Sequence, residues 1–265
     1  DIVTHSTTKY MDGHATQVGG AVVEDEGLRS LFLRSFSFIG GLKVLVHGGG
    51  RSATTVAGAL GIDTRMIHGR RVTDEGMRKV VSMVYGGLVN KEIVASLQAS
   101  GVDAIGLSGA DLRLVVSRKR PPVEIDGEMV DFGYVGDVVS VNSQALRQLM
   151  EWGKVPVVAP LSFDPDHGLL NTNADTMASA IAASLSEDFE TVLTFCFEKE
   201  GVLDGEGKVI PLIDRDLYNE LKSSGVVSGG MVPKIDNAFA ALQKGVKAVR
   251  ITDTGHLNGG TIIYG

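Results

Sequence analysis

Apolar and polar positions along the chain alternate between two textures. Short apolar runs predict buried strands at Lys43-Val44-Leu45-Val46-His47, Ala104-Ile105-Gly106-Leu107, Val155-Pro156-Val157-Val158-Ala159, Thr191-Val192-Leu193-Thr194-Phe195 and Ala248-Val249-Arg250-Ile251. Between them, apolar residues recur every three or four positions. Met77, Val80, Val81, Val84, Leu88 and Val94 predict one long helix over residues 74–99. Residues 52–60 predict a shorter helix with Ser52 as its N-cap. Residues 114–141 break the rhythm: Pro121-Pro122 and Asp126-Gly127 are turn signals, and a β-hairpin excursion at one edge of the sheet is expected there. Strands alternating with helices predict an α/β fold with a mainly parallel sheet.

Composition narrows the function classes. No apolar run approaches the ~18–20 residues of a membrane span. The first fifteen residues lack the order of a signal peptide, a basic stretch before an apolar one. With 25 basic and 32 acidic residues the net charge is −7, which disfavours nucleic acid as a partner. The lone Cys196 has no internal disulfide partner and fits a reducing cytoplasm. His5, His14, His47, His68, His167 and His256 show no metal-ligand spacing, so no metal site is expected.

Glycine is the excess: 34 of 265 residues, against a usual share of roughly 7%. Clusters stand at Gly19-Gly20, Gly48-Gly49-Gly50 and Gly229-Gly230, two of them after a strand-like run and before a helical one. Glycines beyond the C-terminal ends of parallel strands let backbone N–H groups approach an anion closely. The P-loop pattern, the dinucleotide fingerprint and the hydrolase nucleophile elbow are all absent. Polar groups gather elsewhere. Asn171-Thr172-Asn173-Ala174-Asp175 sets two amides and a carboxylate at the mouth of a helix, where Asn173 is also a candidate cap. Gly69-Arg70-Arg71-Val72-Thr73 places guanidinium groups suited to a carboxylate before the long helix. Gly229-Gly230-Met231-Val232-Pro233-Lys234 places a lysine just inside a helix after a glycine turn.

Together with Val46-His47-Gly48-Gly49-Gly50-Arg51-Ser52 and Glu198-Lys199-Glu200-Gly201-Val202-Leu203, these motifs resemble the amino-acid kinase family, in particular its branch acting on N-acylated glutamate. The resemblance runs from about Val18 to the C-terminus. It implies a three-layer α/β/α sandwich around a mainly parallel central sheet. It implies an N-terminal lobe, residues 18–172, for the acyl-amino acid and dimerisation, and a C-terminal lobe, residues 173–265, for the nucleotide. Residues 1–17 read as a tail or an altered first strand. The implied reaction moves the γ-phosphoryl of ATP, with Mg²⁺, onto the side-chain carboxylate of an N-acyl-L-glutamate in arginine biosynthesis. The implied assembly is a homodimer joined through residues 74–99.

The resemblance also assigns roles. Gly20, Gly49, Asp175 and Lys234 would be catalytic. Gly48, Gly49, Gly50, Arg71, Asn171 and Asn173 would bind the acyl substrate. Gly19, Gly20, Glu198, Gly201, Gly229, Gly230, Met231 and Lys234 would bind the nucleotide. One position departs from the family pattern: Gln17 stands where a lysine precedes the first glycine pair. That leaves two alternatives open, a non-catalytic or low-activity homologue binding acylglutamate or nucleotide, and N-succinylglutamate as substrate.

Overall fold

The computed structural model describes residues 15–21, 41–197, 199–229 and 231–265. In chain order they form strands β1 (Ala15–Ala21) and β2 (Leu42–His47), helix α1 (Gly50–Ala59), strands β3 (Met66–Ile67) and β4 (Arg70–Arg71), and helix α2 (Glu75–Val81). A π-helical segment (Ser82–Val89) leads without a break into helix α3 (Asn90–Ala99). Strands β5 (Ala104–Leu107), β6 (Val115–Lys119), β7 (Val123–Ile125), β8 (Glu128–Val130) and β9 (Gly136–Val141) precede helix α4 (Ser143–Glu151). Strands β10 (Val155–Val158), β11 (Leu161–Asp164) and β12 (Gly168–Asn171) lead to helix α5 (Ala174–Leu185). The chain ends with β13 (Glu190–Phe197), β14 (Leu212–Ile213), α6 (Arg215–Ser223), α7 (Met231–Gln243), β15 (Ala248–Asp253) and β16 (Thr261–Ile263).

The chain divides into two compact units, one of residues up to Leu45 with Ala178–Gly265, the other Val46–Met177. In the first, β1 pairs in parallel with β13, from Ala15 opposite Glu190 to Ala21 opposite Cys196. β13 pairs in parallel with β15, and β16 runs antiparallel to β15 and parallel to β14. Leu193, Phe195, Val249 and Ile251 are buried on these strands, as continuous apolar runs in a parallel sheet require. Ala15, Thr16 and Gln17, read in the sequence as part of the tail or altered first strand, lie within β1; residues 1–14 are outside the described residues.

In the second unit β10 and β5 pair in parallel, with α3 and α4 packed on β10. The expected excursion is present. β6 and β9 pair antiparallel, β11 joins β6 in parallel, and β12 joins β11 antiparallel. β7 and β8 form a hairpin whose turn, Asp126-Gly127, has positive φ at both residues, +51° and +82°, the type I′ geometry that matches strand twist. Both units are α/β, the fold class expected; pairing is mainly parallel in the first, whereas in the second the parallel β5–β10 pair stands beside an excursion that pairs mainly antiparallel.

The long helix corrects the sequence reading in its second half. Met77, Val80, Val81 and Val84 are buried as expected, but Leu88 and Met83 are exposed, and Tyr85, Val89, Ile93 and Leu97 carry the core face onward. The π-helical turn is the cause: the Asn90 N–H bonds to the Tyr85 carbonyl, five residues back, which shifts the buried stripe by about one position. The helical stretch Glu75–Ala99 is also long and apolar enough to cross a membrane, contrary to the expectation that none is, although its buried stripe serves the core of its own unit. The shorter helix begins at Gly50 with Gly49 at the cap, not at Ser52, because glycine adopts the turn directly after β2.

Two predictions follow from packing. Gly133 has φ +73°, and a Cβ there would lie 2.3 Å from the Thr73 carbonyl oxygen, the acceptor of the Tyr134 N–H. Gly127 has φ +82° with nothing within 4 Å. Gly133→Ala is expected to lower unfolding free energy by about 2–4 kcal/mol and Gly127→Ala by about 1–2, measured by urea denaturation; equal losses would contradict the Thr73 contact. Cys196 is buried, and burial with the nearby Asp253 charge pushes its thiol up to about 12. A thiol reagent at about pH 8 is expected to leave the native chain unmodified and to label it on denaturation; prompt native labelling would contradict the placement.

Candidate functional site

The first glycine-rich turn is built by β2. Val44, Leu45 and Val46 are fully buried, so the strand is fixed on both faces and delivers His47 to its end at 2% exposure. Gly48 and Gly49 then turn the chain into α1. Gly49 has φ +154°, and a Cβ there would stand 2.9 Å from Tyr85 Cδ1. Without a side-chain cap, the first N–H groups of α1 have no intrahelical acceptor, and the helix dipole adds positive potential. Such a turn suits an anionic oxygen.

Arg71 closes against this turn. Its Nη2 donates to the Gly50 carbonyl at 2.8 Å and to Thr54 Oγ1 at 3.0 Å, and its Nη1 reaches Thr64 Oγ1 at 3.4 Å. The β3–β4 hairpin aims it: His68 and Gly69, φ +46° and +73°, form the tight turn that sends Arg70 and Arg71 back along Met66 and Ile67. The structure thus joins Arg71 to Gly50, as a site using both requires. A carboxylate clamped by Arg71 would compete with the Gly50 and Thr54 oxygens for its donors.

The asparagine cluster divides by role. Asn171 ends β12, and its Nδ2 donates to Thr73 Oγ1 at 2.9 Å, which ties the cluster to the residue two past Arg71. Asn173 Oδ1 accepts from the Thr176 N–H at 2.9 Å and from Thr176 Oγ1 at 3.2 Å, so Asn173 caps α5. Asp175 sits in the first turn of α5, where a carboxylate complements the helix dipole.

In the other unit, Gly19 and Gly20 lie in β1 opposite Thr194 and Phe195. Lys234 stands in the first turn of α7 after Met231, and its Nζ lies 3.3 Å from the Phe197 ring centroid, a cation–π contact at the end of β13. Gly229 has φ +55° with open space where a Cβ would be. Gly201 is tightly packed: a Cβ would meet Thr261 Oγ1 and Val209 Cγ1, both at 2.8 Å. Glu198 and Gly230 lie outside the described residues.

Sequence reasoning missed two groupings. Glu200, Asp253 and His256 offer atoms that lie within 4.8 Å of one another and could hold a metal ion; Glu200 lies far from the other two in sequence, which hides them from a spacing test. Asp253 Oδ1 also accepts from the Gly255 and His256 N–H groups, both at 2.8 Å, so an ordinary turn accounts for its place. Donation from the His256 ring to the Asp253 carboxylate raises the His256 pKa. The second grouping, His47 with Asn90 and Tyr85, supports the glycine turn. Its only sequence signal is Asn90, an amide directly following the apolar Leu88-Val89.

Residues 17–253 match the model of the amino acid kinase family. The chain is 51% identical to the acetylglutamate kinase of Parabacteroides distasonis, over 92% of this chain and 95% of that protein. It is 51% identical to that of Bacteroides fragilis, over 93% and 95%. Among solved structures it resembles smu.665 from Streptococcus mutans UA159, with a TM-score of 0.73 and 28% identity over 94% of this chain and 97% of that one. The chain belongs to the amino acid kinase family.

Proposed function

We propose that this chain transfers the γ-phosphoryl group of ATP to the side-chain carboxylate of N-acetyl-L-glutamate, a step of arginine biosynthesis. The observation that carries the reading is identity of 51% to acetylglutamate kinases, extending over more than nine-tenths of each chain. A glutamate side chain with an ordinary pKa near ~4.3 is already ionised at neutral pH, so the carboxylate oxygen attacks phosphorus without a general base. What remains is to align two mutually repelling anions and to neutralise charge on the moving group.

The chain's donors suit that task. Gly49 and Gly20 would offer backbone N–H groups to the transferring phosphoryl, and Lys234 a cation. Asp175 would orient cationic groups. Arg71 would take the α-carboxylate, while Asn171 and Asn173 would hold the acyl amide and the carboxylate. Gly19, Gly201, Gly229 and Met231, with Glu198 and Gly230, would form the nucleotide side. The donor set of backbone amides, a helix N-terminus and lysine fits a polyphosphate. Mg²⁺, carried by the nucleotide phosphates, would neutralise charge between the β- and γ-phosphoryl groups. A homodimer would use the exposed Met83 and Leu88 of the long helix, and a cytoplasmic location fits the single buried thiol.

One observation favours a second reading, a weakly active or non-catalytic homologue. Gln17 lies inside β1, in register with Val192, two residues before Gly19, where the family pattern has a lysine. The deciding experiment incubates the chain with ATP, Mg²⁺ and N-acetyl- or N-succinyl-L-glutamate and traps acyl phosphate with hydroxylamine. Hydroxamate from N-acetyl-L-glutamate is expected; binding of both ligands without turnover would establish the second reading. Gln17→Lys is expected to raise the rate on the order of 10²-fold. No gain would show that the missing charge does not limit catalysis.

A further inference from the structure

We infer that Asn90 and His47 form a buried positioning pair that orients the Gly48–Gly49 peptide, and through it the Gly49 N–H donor. The inference deepens the reading above and rests on Gly49 contacting the transferring phosphoryl.

The hydrogen-bond geometry admits one arrangement. Asn90 is 1% exposed at the start of α3, and its Nδ2 lies 2.9 Å from the Val157 carbonyl oxygen and 3.1 Å from His47 Nε2. A carbonyl oxygen only accepts, so this end of the Asn90 amide must be the donor; the reverse orientation would set two oxygens against each other. Asn90 therefore donates to His47 Nε2, which must carry no proton. The other ring nitrogen, Nδ1, lies 2.6 Å from the Gly48 carbonyl oxygen, which again only accepts, so Nδ1 carries the proton. Asn90 holds His47 neutral and in a single tautomer, and that tautomer holds the Gly48 carbonyl.

In a planar trans peptide the C=O and the following N–H point in opposite directions. Fixing the Gly48 oxygen against His47 therefore aims the Gly49 N–H away from it. Among the described residues that N–H makes no backbone hydrogen bond. The π-helical segment supplies the second support: Tyr85 and Val89 press on Gly49, 2.9 and 3.5 Å from where a Cβ would stand. Tyr85 and Asn90 are five residues apart, about 140° around an ordinary α-helix. The i to i−5 bond from Asn90 to Tyr85 is what lets one helix face serve both sides of the turn.

A purely structural role explains this poorly. Among the described residues the buried Asn90 Oδ1 has no hydrogen-bond partner, a cost that an apolar residue of similar size would avoid. Gly106 makes room for it, since a Cβ there would lie 2.0 Å from Oδ1. The fold keeps an under-satisfied amide at a place where only its donor end has work to do.

The test combines turnover with the histidine tautomer. Asn90→Leu is expected to lower kcat roughly 10- to 100-fold, with KM for N-acetyl-L-glutamate and ADP affinity by calorimetry within about twofold. Gly106→Ala, which displaces the Asn90 side chain while changing neither residue of the pair, is expected to lower kcat in the same way. In ¹⁵N-histidine spectra of the whole wild-type chain, the His47 signals, assigned by their absence in His47→Gln, are expected to show protonated Nδ1 and unprotonated Nε2. In Asn90→Leu they are expected to show mixed tautomers. Wild-type kcat in Asn90→Leu, or mixed tautomers in the wild-type chain, would overturn the inference. Failure of the substrate reading shows separately as an inactive wild type, and the tautomer spectra decide the pair in either case.

Discussion

A turn made of glycines has no side chains with which to hold itself, yet a turn that is to present its amides to an anion must keep them still. The turn at Gly48–Gly50 meets this constraint by borrowing rigidity from every neighbour. β2 is buried on both faces, so His47 cannot swing. Arg71 takes the Gly50 carbonyl, and Tyr85 closes the space beside Gly49. Donors fixed before the reaction need no reorganisation when charge develops, which is where backbone amides outperform mobile lysines. The acidic balance of the chain is then no obstacle to binding anions, since local dipoles and a few cations act at short range.

The same logic runs through the rest of the second unit. The Thr73 carbonyl accepts the Tyr134 N–H at 2.7 Å while its hydroxyl accepts from Asn171. Thr73 thus links the entry of the long helix to the β-excursion and to the asparagine cluster. Gly133 is glycine because that linkage leaves no room for a Cβ. The excess of glycine has more than one origin: open turns such as Asp126-Gly127, close packing as at Gly133 and Gly201, and the proposed phosphate-facing loops.

Much of this was legible in the sequence because it depends on local pattern. The apolar run 43–47, the Asp126-Gly127 turn and the Asn173 cap each follow from residue type and spacing alone. What escaped depends on contacts distant in sequence or on backbone register. No periodicity rule anticipates a π-helical turn, so Leu88 was read onto the core face and Tyr85 was not. Asn90 matters only because Val157 and His47, 67 and 43 residues away, meet it. Ser52 is a good cap residue in the abstract, but the helix starts earlier because Gly49 can adopt the φ that the turn demands.

The central claim is that a carboxylate oxygen of the substrate attacks the phosphorus of ATP, without water as an intermediary. It is tested most directly with N-acetyl-L-glutamate carrying ¹⁸O in its side-chain carboxylate. The acyl phosphate formed with ATP is cleaved by hydroxylamine at its carbonyl carbon, so the bridging oxygen leaves with phosphate. The account predicts one ¹⁸O in each phosphate released. Unlabelled phosphate would mean attack by water on ATP and would contradict it.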